Sequence, residues 1–111
     1  RFVGEPSAHT QLDEKPYDTL PELKAAREAE DARILAFVGG LDEGALSGTF
    51  TYQPVTNPRD ITQPLAPALA HLFNHHTHHR GQVHALMTRF AGEAPSLDLI
   101  YYQRETGDGM S

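Results

Sequence analysis

Most of the groups able to do chemistry in this 111-residue chain fall in one short stretch. His71-Leu72-Phe73-Asn74-His75-His76-Thr77-His78-His79-Arg80-Gly81-Gln82-Val83-His84 contains six of the seven histidines. A neutral imidazole nitrogen is a good ligand for first-row metal ions. On a helix advancing about 100° per residue, His75 and His79 sit one turn apart on the same face. That spacing lets two rings converge on a single ion. His71 extends the row one turn earlier, as a ligand, a donor to a ligand, or a substrate contact. Gln82 borders the same face and is placed to orient a ligand or a bound water.

The rest of the stretch limits this reading. The H-E-x-x-H hydrolase pattern is absent, because His76, Thr77 and His78 separate the pair and no Glu stands there to act as base. A stable site usually takes three protein ligands. The third must be His71, the distant His9, an acidic residue, or a group outside this chain. His78 and His84 read as surface or satisfied core residues in place of ligands. His76, near the apolar seam, divides between packing and a polar network. Arg80, Asp98, Tyr101 and Tyr102 could serve a site, but surface charge and packing account for them. There is no G-x-G-x-x-G, P-loop or G-x-S-x-G, and the few Ser residues have no visible His/Asp partners.

The histidines need a long helix beneath them, and the pattern supplies one. Leu65, Leu69, Leu72, His76, His79, Val83, Leu86 and Phe90 recur at alternating spacings of four and three, predicting an amphipathic helix over 64–91. Pro64 and Pro67 are placed in its first turn, Gly81 opposite the seam, and Gly92 at its end. Upstream, Thr19-Leu20-Pro21-Glu22 fits a capping box, so a helix is predicted to begin at Thr19 and to stop at Gly39-Gly40. Its apolar side is Leu20, Leu23, Ile34, Leu35, Phe37 and Val38. Residues 1–18 read as an irregular lead-in and 41–48 as a turn-rich connection. Thr49-Phe50-Thr51-Tyr52-Gln53 alternates as a short strand. Asn57-Pro58-Arg59-Asp60 reads as a turn and Asp60-Ile61-Thr62 as a returning strand. Ser96-Leu97-Asp98 starts a last helix that presents Leu97, Ile100 and Tyr101 and ends near Glu105. The domain is expected over 1–105, with 106–111 a flexible tail.

Composition narrows the function. The chain has no Cys, which excludes disulfides, thiolate metal sites and a Cys nucleophile. Fifteen acidic and nine basic residues give a net charge of −6, with no basic cluster to neutralise a phosphate backbone, so nucleic acid is not an expected partner. No apolar run approaches the roughly 20 residues of a membrane span, and no signal peptide opens the chain. A reduced, cytoplasmic setting is the expected one. The chain opens on Arg1 in place of Met, and the long helix lacks neighbours along its length. Helices before Arg1 are therefore expected to be missing, with dimerisation as the alternative.

The string Leu69-Ala70-His71 through Val83-His84, followed by Ser96-Leu97-Asp98-Leu99-Ile100-Tyr101-Tyr102, resembles the DinB (damage-inducible) family of the DinB/YfiT-like metal-binding four-helix bundles. The similarity extends more loosely to Arg1-Phe2-Val3-Gly4-Glu5-Pro6 and Lys24-Ala25-Ala26-Arg27-Glu28. Asn74-His75-x-x-His78-His79-Arg80-Gly81-Gln82 is its most specific part. The resemblance implies an all-α four-helix bundle, N-terminally incomplete here, with a short irregular or β-hairpin insertion. It implies a divalent metal ion, zinc or nickel, held by three His, two of which match His75 and His79. The third belongs to a helix preceding the segment that looks like Arg1-Phe2-Val3-Gly4-Glu5, and it has no counterpart in this sequence. Relatives include thiol-dependent transferases and isomerases using bacillithiol or mycothiol, and proteins described as metal-dependent hydrolases; members are often dimeric. The expected function is accordingly a metal-binding protein acting on a small-molecule substrate as an S-transferase or hydrolase. A low-molecular-weight thiol is the candidate cosubstrate, and a homodimer the expected assembly. The rival readings are a metal-binding stress-response protein without turnover and a structural helical domain with a polar His seam.

Overall fold

The structure, a computed structural model, describes residues 2–5, 9, 11–57 and 59–109. Its elements follow in the order α1 (Leu20–Gly39), α2 (Glu43–Leu46), β1 (Thr49–Tyr52), β2 (Ile61–Pro64), α3 (Leu65–Ala91) and α4 (Leu99–Thr106). The contacts divide into two compact units, Arg1–Ala68 and Leu69–Ser111, so the first turn of α3 belongs to one unit and its remainder to the other. Among the described residues no helix is long and apolar enough to cross a membrane.

The helix ends are set locally. At α1 the capping box forms in full. Glu22 N–H donates to Thr19 Oγ1 at 3.4 Å, and Thr19 N–H donates to Glu22 Oε2 at 3.1 Å. Each bond satisfies an amide that the first helical turn leaves without a partner. Pro21 lies in that turn, where a missing N–H costs nothing. The side chains of α1 then form an exposed ladder of ion pairs, Lys24 with Glu28, Arg27 with Asp31, and Arg33 with both Glu30 and Glu5. Screened pairs of this kind contribute little each. The apolar side predicted for α1 is only partly covered. Ile34 and Phe37 are half-buried, whereas Leu20, Leu23, Leu35 and Val38 are exposed, because a covered face needs a neighbouring element along its whole length.

The connection 41–48 contains a helix the sequence pattern did not announce. Asp42 caps the single turn of α2, its Oδ1 accepting from Ala45 N–H at 2.7 Å. An N-cap Asp was the available signal. The hairpin is antiparallel, pairing Thr49 with Pro64, Phe50 with Gln63, Thr51 with Thr62, and Tyr52 with Ile61. Thr51 and Thr62 share a cross-strand hydroxyl bond of 2.7 Å, and Gln53 donates to Asp60 Oδ1 at 2.9 Å. Pro64 closes β2 and does not enter the helix, which corrects its predicted place; only Pro67 stands in the first turn of α3. Strand alternation turns Phe50 and Tyr52 to one side, where their rings stack with centroids 5.2 Å apart. Phe2 lies 4.8 Å from Phe50 and 6.0 Å from Phe37, so three segments far apart in sequence meet in one aromatic cluster. Leu65 N–H donates to Gly48 O, tying the start of α3 to the entry of the hairpin.

Along α3 burial follows the predicted stripe and then lapses. Leu65 and Leu69 are buried, Leu72 and His76 half-buried, and Val83, Leu86 and Phe90 exposed. The helix ends at Gly92, whose φ of 83° is left-handed backbone and whose N–H returns to Thr88 O. Helix α4 follows an Asp98 N-cap in extended conformation that makes no side-chain cap bond, and closes on a left-handed Gly107. Tyr102 then donates its phenol proton to Asp108 Oδ2 at 3.0 Å. Residues 110 and 111 of the predicted tail lie outside the described residues.

The capping box yields a pH-dependent expectation. Hydrogen bonds from Thr19, side chain first and then backbone, hold the Glu22 carboxyl below its ordinary value of 4.5. The stabilisation is therefore complete above that value and lost as pH falls through the depressed one. Thr19→Ala should lower stability by about 1 kcal/mol near pH 7. In denaturant titrations followed by far-ultraviolet circular dichroism, the gap between variant and parent should narrow at pH 3; a gap independent of pH would contradict this account.

Candidate metal centre

Helix α3 delivers its histidines as a graded series of ring contacts. The His75 and His79 rings meet edge to face, centroids 4.4 Å apart and planes at 86°. Their Nε2 atoms point at one another across 2.9 Å. His79 Nδ1 lies 2.8 Å from Gln82 Oε1. His71 stacks on His75, centroids 5.5 Å apart and planes at 18°. His78 is 6.1 Å from His75 and 5.2 Å from His79 by ring centroid. The four-residue step from His75 to His79 brings two nitrogens together, whereas the equal step from His71 to His75 stacks the rings, and His78 stacks on His75 and meets His79 edge-on.

The nitrogen spacing is a direct test of fit to an ion. Two imidazoles each about 2.05 Å from one metal ion have their nitrogens about 2.9 Å apart at a right angle and about 3.3 Å apart at the tetrahedral angle. The observed 2.9 Å falls at the lower of these, so the separation of the nitrogens suits chelation once each ring turns its Nε2 from the other ring toward a shared ion. A neutral nitrogen is required of each ring, and the surroundings of His75 favour it. Crowding of the His75 ring away from water, and then the charges that His79, His71 and His78 would carry, hold its pKa below the ordinary 6.5.

The third position is another matter. Among the described residues no group of three or more His, Asp or Glu side chains is gathered as a metal-holding set. His71 is brought into the row as a stacking partner, and His9 pairs with Glu14 at 2.9 Å. His79 belongs to the predicted apolar stripe of α3, yet both rings of the pair are exposed. Their convergence and the Gln82 contact carry the site in place of burial.

The remaining candidates are engaged locally. His76 is half-buried and meets Phe73 edge-on. Arg80 donates to Thr77 Oγ1, and Thr77 donates to Phe73 O, one turn back. His84 is half-buried, and its carbonyl accepts from Thr88. Tyr101 lies under the Arg104 guanidinium, and Asp98 stands at the N-cap position of α4 without a side-chain cap bond. The bond to Asp108, and then its charge, raises the Tyr102 phenol above its ordinary value. Gln82, which the spacing singled out, proves to be the one neighbour bonded to a ring nitrogen of the pair among the contacts described.

The description DinB family fits residues 1–110, nearly the whole chain. No curated protein and no solved structure matches it.

The geometry makes a prediction for the metal-free protein. His75 should titrate below the ordinary imidazole value in nitrogen-detected NMR, and its contribution to stability should be complete above about pH 6.5 and lost as pH falls. His79→Gln removes one of the charges responsible and should move the His75 midpoint upward. An unchanged midpoint would mean that the two rings do not face each other as described.

Proposed function

With membership of the DinB family as the premise, we propose that this chain is a divalent-metal-binding protein, with His75 and His79 as ligands and zinc or nickel as the ion. The observation that carries the reading is the 2.9 Å approach of two Nε2 atoms one helical turn apart, a spacing suited to chelation. The third ligand comes from beyond the pair, with His71, already stacked on His75, as the fallback. When bound, such an ion acts as a Lewis acid and lowers the pKa of a coordinated water or thiol. The chain's own part is to hold two neutral nitrogens in register, through the helix backbone beneath them and the Gln82 carboxamide beside them.

In this reading the reaction is an S-transfer with a low-molecular-weight thiol, or a hydrolysis, on a small-molecule substrate. A cytoplasmic location and a homodimer belong to the same reading, supported by the absence of Cys and by the exposed Val83, Leu86 and Phe90 of α3. A second reading, a polar His seam without metal, is favoured by one observation: the pair and Gln82 already form a bonded chain among themselves.

Metal content separates the two. Protein purified without a metal-affinity tag should contain about one divalent ion per chain by elemental analysis. His75→Ala or His79→Ala should each abolish it. Added zinc at 100 times its dissociation constant should stabilise the parent by about 2.7 kcal/mol and leave both variants unmoved. A metal-free parent whose melting zinc does not shift would overturn the proposal.

A further inference from the structure

The bonds around His79 specify where its proton lies. Gln82 Oε1 stands 2.8 Å from His79 Nδ1. A carboxamide oxygen has lone pairs and no proton, so Nδ1–H must be the donor. A neutral imidazole carries one N–H, which leaves His79 Nε2 as a bare lone pair. That lone pair faces His75 Nε2 at 2.9 Å, a distance that two opposed lone pairs would not keep. The proton in that contact therefore sits on His75 Nε2. The two rings of one pair are held in opposite tautomers.

We infer that Gln82 is a positioning residue: it locks His79 in the Nδ1–H tautomer with Nε2 ready for an ion, and leaves His75 as the ring that must change tautomer when an ion is taken up. This rests on the metal reading proposed above. The balance is simple. The N–H bond at His75 Nε2 breaks, an N–H bond forms at His75 Nδ1, and solvent carries the proton between them. Both rings are exposed, so water reaches them. No net proton is released, and both rings end with Nδ1–H and a free Nε2. Gln82 reaches His79 from three residues further along the same helix, so the lock needs nothing beyond α3 itself.

Long-range ¹H–¹⁵N correlation spectra of the imidazoles, recorded on the full chain at pH 8 and assigned with single His variants, read each tautomer directly. Metal-free parent should show His79 as Nδ1–H and His75 as Nε2–H, and added zinc should convert His75 to Nδ1–H. Gln82→Leu, which keeps a good helix former but loses the acceptor, should let His79 populate the Nε2–H form and weaken zinc binding about 10-fold. Gln82→Glu should restore both. A parent with His79 as Nε2–H, or a Gln82→Leu protein with unchanged tautomers and unchanged zinc affinity, overturns the role of Gln82 and leaves metal binding standing. The stated tautomers in a parent that takes up no zinc uphold the lock and overturn the metal reading.

Discussion

The candidate site depends on the angular register of one helix. Two imidazoles four residues apart face one another only while every peptide between them advances by the same helical step. A single inserted residue would turn one ring about 100° away from the other. The register is secured at both ends of α3, by the Leu65 amide on the Gly48 carbonyl at its start and by the left-handed Gly92 at its close. Chemistry is therefore placed by backbone hydrogen bonds, and the site inherits the stiffness of the helix.

That dependence explains why the site is organised although its rings are exposed. A ligand pair built from two loops would pay in chain entropy for each approach of its nitrogens. Here the helix has already fixed the backbone, and only a few side-chain torsions remain. Gln82 bonds one ring, while stacking of His71 and the approach of His78 restrict the other. The same crowding disfavours a second proton on His75, so that ring is held uncharged, the state from which metal uptake starts. On a chain of net charge −6 this small patch carries imidazoles and Arg80 in place of carboxylates.

The rest of the structure divides between local and long-range causes. Caps at Thr19 and Asp42, the glycines after α3 and α4, and the ion pairs along α1 each involve residues a few positions apart. The aromatic cluster of Phe2, Phe37 and Phe50 is different, since its members come from the lead-in, α1 and β1. It supplies the nonlocal packing that a two-stranded hairpin requires to be stable.

What could be read from the residues follows this division. Both long helices, their stops at Gly39-Gly40 and Gly92, the strand around Phe50, and the pairing of His75 with His79 were legible, because each is set by spacing or by a capping residue within one or two turns. Membership of the DinB family was legible for the same reason, since the most specific string of the resemblance lies within a single helix. The register of β1 on β2, the placement of Pro64 in a strand, and the lapse of burial beyond Leu72 were decided only by the tertiary structure. Those features, the last of them setting in after the half-buried His76, depend on which distant segments come together. An amphipathic stripe states that a face can be covered, and only an element lying against it determines that it is.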